Sequence, residues 1–436
     1  MNTYPKSLKY KLSSIIKQMA RSPDAFVKSP GKDFTRNRKL DFETLFKLIL
    51  GMNGNTLRKE IYEHFDYDTS SLSTSAFCQQ RSKLKDNAFE YLFNNFNKAT
   101  DKVKLFKDYR LLAVDGSVLN IYHNPKNKGT YIKHTGNSKG YNALHLNALY
   151  DLQSRCYTDA LIQPKKHMNE YQALCNMVDR SSITQKVIVI ADRGYESYNA
   201  FAHIEEKGWK YLIRVKDMNS NGITKALNLP DTDEFDTSIT LQLSRSNSKE
   251  IKAKLPNHKI VPKTSKFDYL PEIYSHYSIT FRVVRIKLSD NNYFMAITNL
   301  DVSEFSTSEI NKLYHLRWNI ETSFRELKYS LGLTTFHSKK VEFIVQEIYA
   351  RLIMYNFCEK IITSVIIEKK GTKHMYQVNF SVAIDICKRF YRTRKNKHPP
   401  DVEALILQNI LPVRYNRVFP RFIRRGRPIS FNYRVA

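Results

Sequence analysis

Between residues 110 and 215 the chain reads strand, strand, strand, helix, strand, helix, strand. Leu111 to Val114 is a short apolar run ending at Asp115. Asn142 to Tyr150 and Cys156 to Ile162 alternate as strands do, and Met168 to Val178 has helical period. Lys186 to Ala191 (KVIVIA) reads as a buried strand ending at Asp192. Tyr198 to Glu206 is a helix closed by Gly208, and Trp209 to Val215 is a last strand. This order predicts an α/β fold.

The flanks differ. Residues 1–106 look all-helical: Phe42, Leu45, Phe46 and Ile49 have helical spacing. A further helix starts near Ser73–Thr74–Ser75 and runs through Phe77, Arg81 and Leu84, and another covers Phe89 to Phe96. A small basic helical domain suits DNA binding, and equally packing and dimerisation, since no helix-turn-helix pattern is sharp. After the first part of the α/β core (107–215), alternation at Ser238–Leu243, Ser278–Leu288 and Tyr293–Thr298 predicts a β-rich insertion over 216–303. Residues 304–335 return to helix, with Ser306 and Glu309 at capping-box spacing to open it. Residues 336–436 are helical and then basic. The run Phe343 to Ile367, interrupted by Glu347, Arg351, Glu359 and Lys360, reads as an amphipathic buried helix. The tail from Ala404 has no acid and seven arginines.

The net charge is +28, from 70 Lys and Arg against 42 Asp and Glu. That balance implies a polyanionic partner, most simply nucleic acid. A basic membrane-surface protein competes, but neither terminus carries a lipidation signal and no transmembrane span or signal peptide is evident. Five scattered cysteines without a CxxC pair fit a reducing cytoplasm and argue against a zinc site.

Three carboxylates stand out by position. Asp115 and Asp192 terminate strands, where ligands of open α/β sheets gather. Glu321 lies in a helical stretch from Leu313 to Leu331 whose stripe carries Tyr314, Arg317, Glu321 and Lys328. At about 100° per residue these four fall within a stripe roughly 60° wide. Leu313, Leu316, Ile320, Phe324, Leu327 and Leu331 form an apolar stripe beside it, and Trp318 reads as packing. Three acids brought together repel unless a cation joins them, and hard oxygen donors select Mg²⁺ or Mn²⁺. Taken singly, each Asp is more often a turn or N-cap residue, and Glu321 could merely pair with Arg317. Tyr314, Arg317 and Lys328 suit phosphate contacts, or a solvated cationic face; Arg193 could reach phosphate or pair with an acid. His145 could sit near the site or be a hydrogen-bonded core histidine. It shares with Asn147 the strand expected to pair with that of Asp115.

The spacing Y-x2-R-x3-E-x6-K of Tyr314, Arg317, Glu321 and Lys328 resembles the signature of insertion-sequence-four family DDE transposases. "AVDGS" places the first Asp at Asp115, "IADRGY" the second at Asp192, and "YHLRWNIETSFRELK" the Glu. The likeness covers roughly residues 107 to 335. It implies an RNase H-like mixed sheet flanked by helices, interrupted by a β-rich insertion, and two Mg²⁺ or Mn²⁺ ions held by Asp115, Asp192 and Glu321. It implies double-stranded DNA as partner, both terminal inverted repeats and target, engaged by a homodimer in the bacterial cytoplasm, at the nucleoid. Cleavage frees a 3′-hydroxyl, which forms a hairpin on the opposite strand; a second water opens it before joining to target. Tyr314, Arg317 and Lys328 would hold terminal phosphates, with Arg325 assisting. Tyr293 or Phe294 would stack on a flipped base, where the family's usual residue is tryptophan.

Two other readings compete. A stand-alone metal-dependent nuclease would cut without joining, and has no need of the phosphate-gripping Tyr, Arg and Lys. A domesticated copy that only binds DNA would have lost an acid, and all three are present.

Overall fold

The computed structural model describes all residues except 1–2, 37, 134–139, 219, 273–274, 291, 368–374, 395–396 and 414–436. The arginines of the tail, Arg414 to Arg434, thus lie outside the described residues.

The chain opens with helices α1 (Thr3–Arg21), α2 (Phe42–Gly51), α3 (Leu57–His64), α4 (Thr74–Arg81) and α5 (Ala88–Thr100). Ser73 caps α4 by accepting from the Ala76 amide at 3.1 Å, as its position predicted. The helix stops at Arg81 rather than reaching Leu84. Next come β1 (Tyr109–Ile121), β2 (Tyr131–Ile132), β3 (Tyr141–Asp151), β4 (Cys156–Pro164), α6 (Glu170–Asp179), β5 (Lys186–Ala191), α7 (Tyr198–Glu206) and β6 (Lys210–Arg214). Gly208 ends α7 with a φ of +73°, a conformation open to glycine at little cost.

Strand order β4–β3–β1–β5–β6 builds the centre of one sheet. β3 is antiparallel to both β1 and β4, whereas β5 runs parallel to β1 and β6 parallel to β5. Three antiparallel strands followed by two parallel ones reached through helices is the RNase H-like arrangement. Period-2 alternation divides the core between the faces. Leu111 and Ala113 enter one apolar cluster with α5; Leu112 and Val114 enter another with α6 and α7.

The expected ending of the first strand at Asp115 is corrected. Parallel pairing with β5 does end just before it, at Ala113 opposite Ile190. The antiparallel ladder with β3 continues through Asp115 opposite Ala148 to Ile121 opposite Asn142. Leu119 and Ile121 are buried, and their packing carries the strand onward.

The segment after β6 supplies β7 (Phe235–Ser244), α8 (Lys249–Lys254), β8 (His258–Ile260), β9 (His276–Ser289) and β10 (Asn292–Thr298). These strands extend the same sheet, because β10 pairs antiparallel with β6 as well as with β9.

Helices α9 (Thr307–His315), α10 (Trp318–Tyr329) and α11 (Val341–Ile362) follow, then β11 (Tyr376–Val378), α12 (Phe380–Arg392), α13 (Val402–Gln408) and β12 (Ile410–Pro412). α11 is buried as expected, but the expected amphipathic character is corrected, since almost every residue is buried rather than one face. Its charges are matched inside. Glu347 meets Arg81 at 2.8 Å and His337 at 3.1 Å; Arg351 donates to the carbonyl of Asn53 at 2.9 Å. Glu359 meets Arg155, and Lys360 donates to the carbonyl of Thr100 at 2.9 Å. Buried charges are tolerated only when paired in this way. One apolar cluster therefore joins α11 to α1, α2 and α5. No helix among the described residues is long and apolar enough to cross a membrane.

Candidate active site

Asp115 lies on β1, and Asp192 directly follows β5, the strand parallel to it. Asp115 accepts from the amide of Gly116 at 2.8 Å, and Asp192, following β5, accepts from that of Gly194 at 2.8 Å. Asp192 thereby caps a 3₁₀ turn, Arg193–Tyr195, so its turn role and its place at the site coexist. Burial pushes the Asp115 carboxyl up to about 6; the Gly116 amide and Arg317 oppose this, while Asp192 and Glu321 add to it. Three acids thus share one electrostatic neighbourhood.

Glu321 sits in the first turn of α10. That helix packs through Ile320, Phe324 and Leu327, all buried as the apolar stripe predicted; only Leu316 of the stripe is half-buried. Ser323 shares a 2.8 Å hydrogen bond with the Tyr157 hydroxyl on β4, and Tyr355 on α11 donates to Glu326 at 3.0 Å. These bonds fix how far Glu321 reaches over the sheet.

The single helix expected from Leu313 to Leu331 is two. α9 ends at His315 and α10 begins at Trp318. At the joint, Leu316 and Arg317 donate three residues back, to Leu313 and Tyr314, and Asn319 and Ile320 do the same to Leu316 and Arg317. This 3₁₀-like tightening rotates one half of the stripe against the other. The Ser306–Glu309 capping box forms, but opens α9 rather than the helix of Glu321.

Arg317, at the joint, is 4% exposed. Its Nη2 lies 2.6 Å from Glu321 Oε1 and its Nη1 3.7 Å from Asp115 Oδ2. Its Nε is buried without a hydrogen-bond partner among the described residues. Its guanidinium carbon stands 5.7 Å from the Tyr314 ring centroid and 5.3 Å from that of Trp318. Trp318 is 41% exposed, which corrects the packing assignment. Tyr314 is buried, its ring 5.0 Å from Phe294 on β10. Burial lowers the pKa of the Lys328 ammonium, and the charge of Asp115 opposes that shift. Arg193 and Arg325 are exposed. Tyr293 is engaged elsewhere, donating to Asp233 at 2.7 Å beneath the guanidinium of Arg285.

Three carboxylates offer the hard oxygen donors that Mg²⁺ or Mn²⁺ takes; burial is the main cause of the raised Asp115 carboxyl, and a cation would relieve the lesser contribution of Asp192 and Glu321. Among the described residues no three acidic, His or Cys side chains close into a ready-made metal cage. Arg317 spans two of the acids as they stand. Sequence reasoning missed Glu170, whose carboxylate approaches the residues following both aspartates. No motif marked it, because α6 brings it there through packing alone.

An RNase H-like sheet with Asp115 on one strand, Asp192 just after its parallel neighbour and Glu321 on a helix beside them is the arrangement of the DDE class. A family model described as a transposase DDE domain matches residues 106–357, and the chain belongs to that family. It is a DNA transposase of the insertion-sequence-four type. The transposase InsG of insertion sequence element IS4 from Escherichia coli K12 is 23% identical over 89% of this chain and 86% of its own length. The transposase of insertion sequence element IS421 from Escherichia coli is 24% identical over 52% of this chain and 62% of its own. A solved piggyBac transposase synaptic complex with hairpin DNA is alike in outline only, with a TM-score of 0.46 and 11% identity over 96% of this chain and 87% of that one.

Proposed function

We propose that this transposase moves its own element by cut-and-paste, cleaving at terminal inverted repeats through a hairpin and joining the ends to target DNA. The observation that carries this reading is the shared neighbourhood of Asp115, Asp192 and Glu321, with Arg317 across two of them. Asp115, Asp192 and Glu321 would hold two Mg²⁺ or Mn²⁺ ions. Bound there, the ions supply activation of the attacking oxygen and stabilisation of the leaving one.

The remaining work falls to the chain itself. Arg317 is prepaid: it is already desolvated and aimed along the acids, so phosphate need only draw it away from Glu321. Lys328 adds a half-buried charge near Asp115. Tyr314 orients Arg317, and Arg193 and Arg325 extend the cationic rim for the DNA backbone. Of the two aromatic candidates for base stacking, Tyr293 is the accessible one, since Phe294 is 3% exposed and packed against Tyr314. The N-terminal helices of residues 1–106 would add DNA contacts, and the enzyme would act as a homodimer on paired ends in the bacterial cytoplasm, at the nucleoid.

The test is Mg²⁺-dependent cleavage and joining of DNA carrying the element's inverted repeats. Glu321→Gln should abolish both steps and leave end binding nearly intact. Continued cutting by that variant would refute the assignment, and cutting without joining by the unaltered enzyme would favour the nuclease.

A further inference from the structure

Gly116 and Gly194 each follow a catalytic aspartate or stand two residues beyond it, and both abut one side chain. A Cβ at Gly116 would lie 2.3 Å from His145 Nε2 and 2.7 Å from Glu170 Oε1. A Cβ at Gly194 would lie 2.9 Å from Asp192 Oδ1 and 3.9 Å from Glu170 Oε2. One oxygen of Glu170 therefore faces the backbone beside Asp115, and the other faces the turn of Asp192. Glu170 is fixed there by the start of α6, where Asn169 accepts from the Gln172 amide at 3.0 Å.

The surroundings are short of partners. His145 is 3% exposed, with Nε2 2.9 Å from Glu170 Oε1. That approach is not an aligned hydrogen bond, and both ring nitrogens lack a hydrogen-bond partner among the described residues. The hydroxyl of Tyr195, a residue 1% exposed, lacks one too. Burial first, and then the charges of Glu170, Asp115 and Asp192, raise its phenol well above the usual range. A buried polar atom left unpaired is costly, so several together around a carboxylate point to an occupant.

We propose that Glu170 is a fourth carboxylate of the catalytic centre, oriented by His145, which gives an oxygen to the divalent ion held by Asp115 and Asp192. The proposal rests on the transposase reading of the site. It separates Glu170 from a mere ion-pair support for His145, because a support tolerates an isosteric amide and a ligand of a hard cation does not.

The experiment measures Mn²⁺ binding to the full-length protein by electron paramagnetic resonance, with melting temperature in EDTA recorded alongside. Glu170→Gln should weaken Mn²⁺ binding at least tenfold while melting no lower than the unaltered protein. Unchanged Mn²⁺ affinity would overturn the proposal. If the amide variant fails to fold, Glu170→Asp keeps the charge but retracts the oxygens, and the same loss is expected of it; unchanged affinity there overturns the proposal equally. Asp192→Asn is the control. If it weakens Mn²⁺ binding and the Glu170 variants do not, only the fourth carboxylate fails; if neither does, the metal-site reading fails with it.

Discussion

Arg317 holds Glu321 at 2.6 Å from a position between two helices, where its backbone closes the 3₁₀-like joint. The same guanidinium reaches Asp115 at 3.7 Å. One residue thus sets the joint and balances two acids.

Arg317→Ala should leave Asp115 and Glu321 to repel each other. The metal-free protein is expected to lose roughly 1–3 kcal/mol of stability, the range for removing a partner from buried polar groups. Saturating Mn²⁺ should restore most of it by taking over the charge. Thermal melts with and without the ion check this; an equal loss in both conditions would count against the bridging role.

Asp115 carries a pH signature. Its carboxyl is raised from 3.8 to about 6, so the folded state binds its proton more tightly than the unfolded chain. Its contribution to stability is full below about 4 and is lost as pH rises through about 6. At about 1.4 kcal/mol per unit, the cost of ionised Asp115 at pH 8 is at most roughly 3 kcal/mol. Asp115→Asn should therefore melt higher than the unaltered protein at pH 8 in EDTA, with the gap closing toward pH 4, while cleavage is abolished. A variant less stable at pH 8 would contradict the burial argument.

Gly116→Ala tests the crowding beside Asp115. Its Cβ would fall 2.3 Å from His145 Nε2, closer than any real contact, so the imidazole and Glu170 must shift. Cleavage should fall at least tenfold while circular dichroism stays that of the folded protein. Full activity would show that this side of the cleft has slack.

Arg81 ties α4 to α11 from a position 1% exposed, bonding Glu347 at 2.8 Å and Gln346 at 2.8 Å. Arg81→Met should cost about 3–5 kcal/mol by leaving Glu347 short of a partner. Urea unfolding reads the loss, and DNA cleavage per folded molecule should change little. Unchanged stability would mean that His337 alone suffices for Glu347.

Local pattern made much of this molecule legible. KVIVIA predicted β5 because a strand covered on both faces is apolar throughout, and Gly208 predicted the end of α7 because the backbone there turns left-handed. The α11 run misled in one respect. Its charges read as one polar side of an amphipathic buried helix, yet the helix is buried almost throughout and they are met by groups distant in sequence, such as Arg81 for Glu347 and Arg155 for Glu359.

The sequence by itself determined the element order and the apolar stripe of α10, and it singled out Asp115, Asp192 and Glu321 as candidates, since periodicity and motif spacing are properties of neighbours along the chain. Tertiary structure decided the break at Leu316–Arg317, the orientation of Phe294 toward Tyr314, and the arrival of Glu170 and His145 beside the aspartates. These depend on which surfaces pack together, and packing couples residues whose separation in the chain carries no local signal.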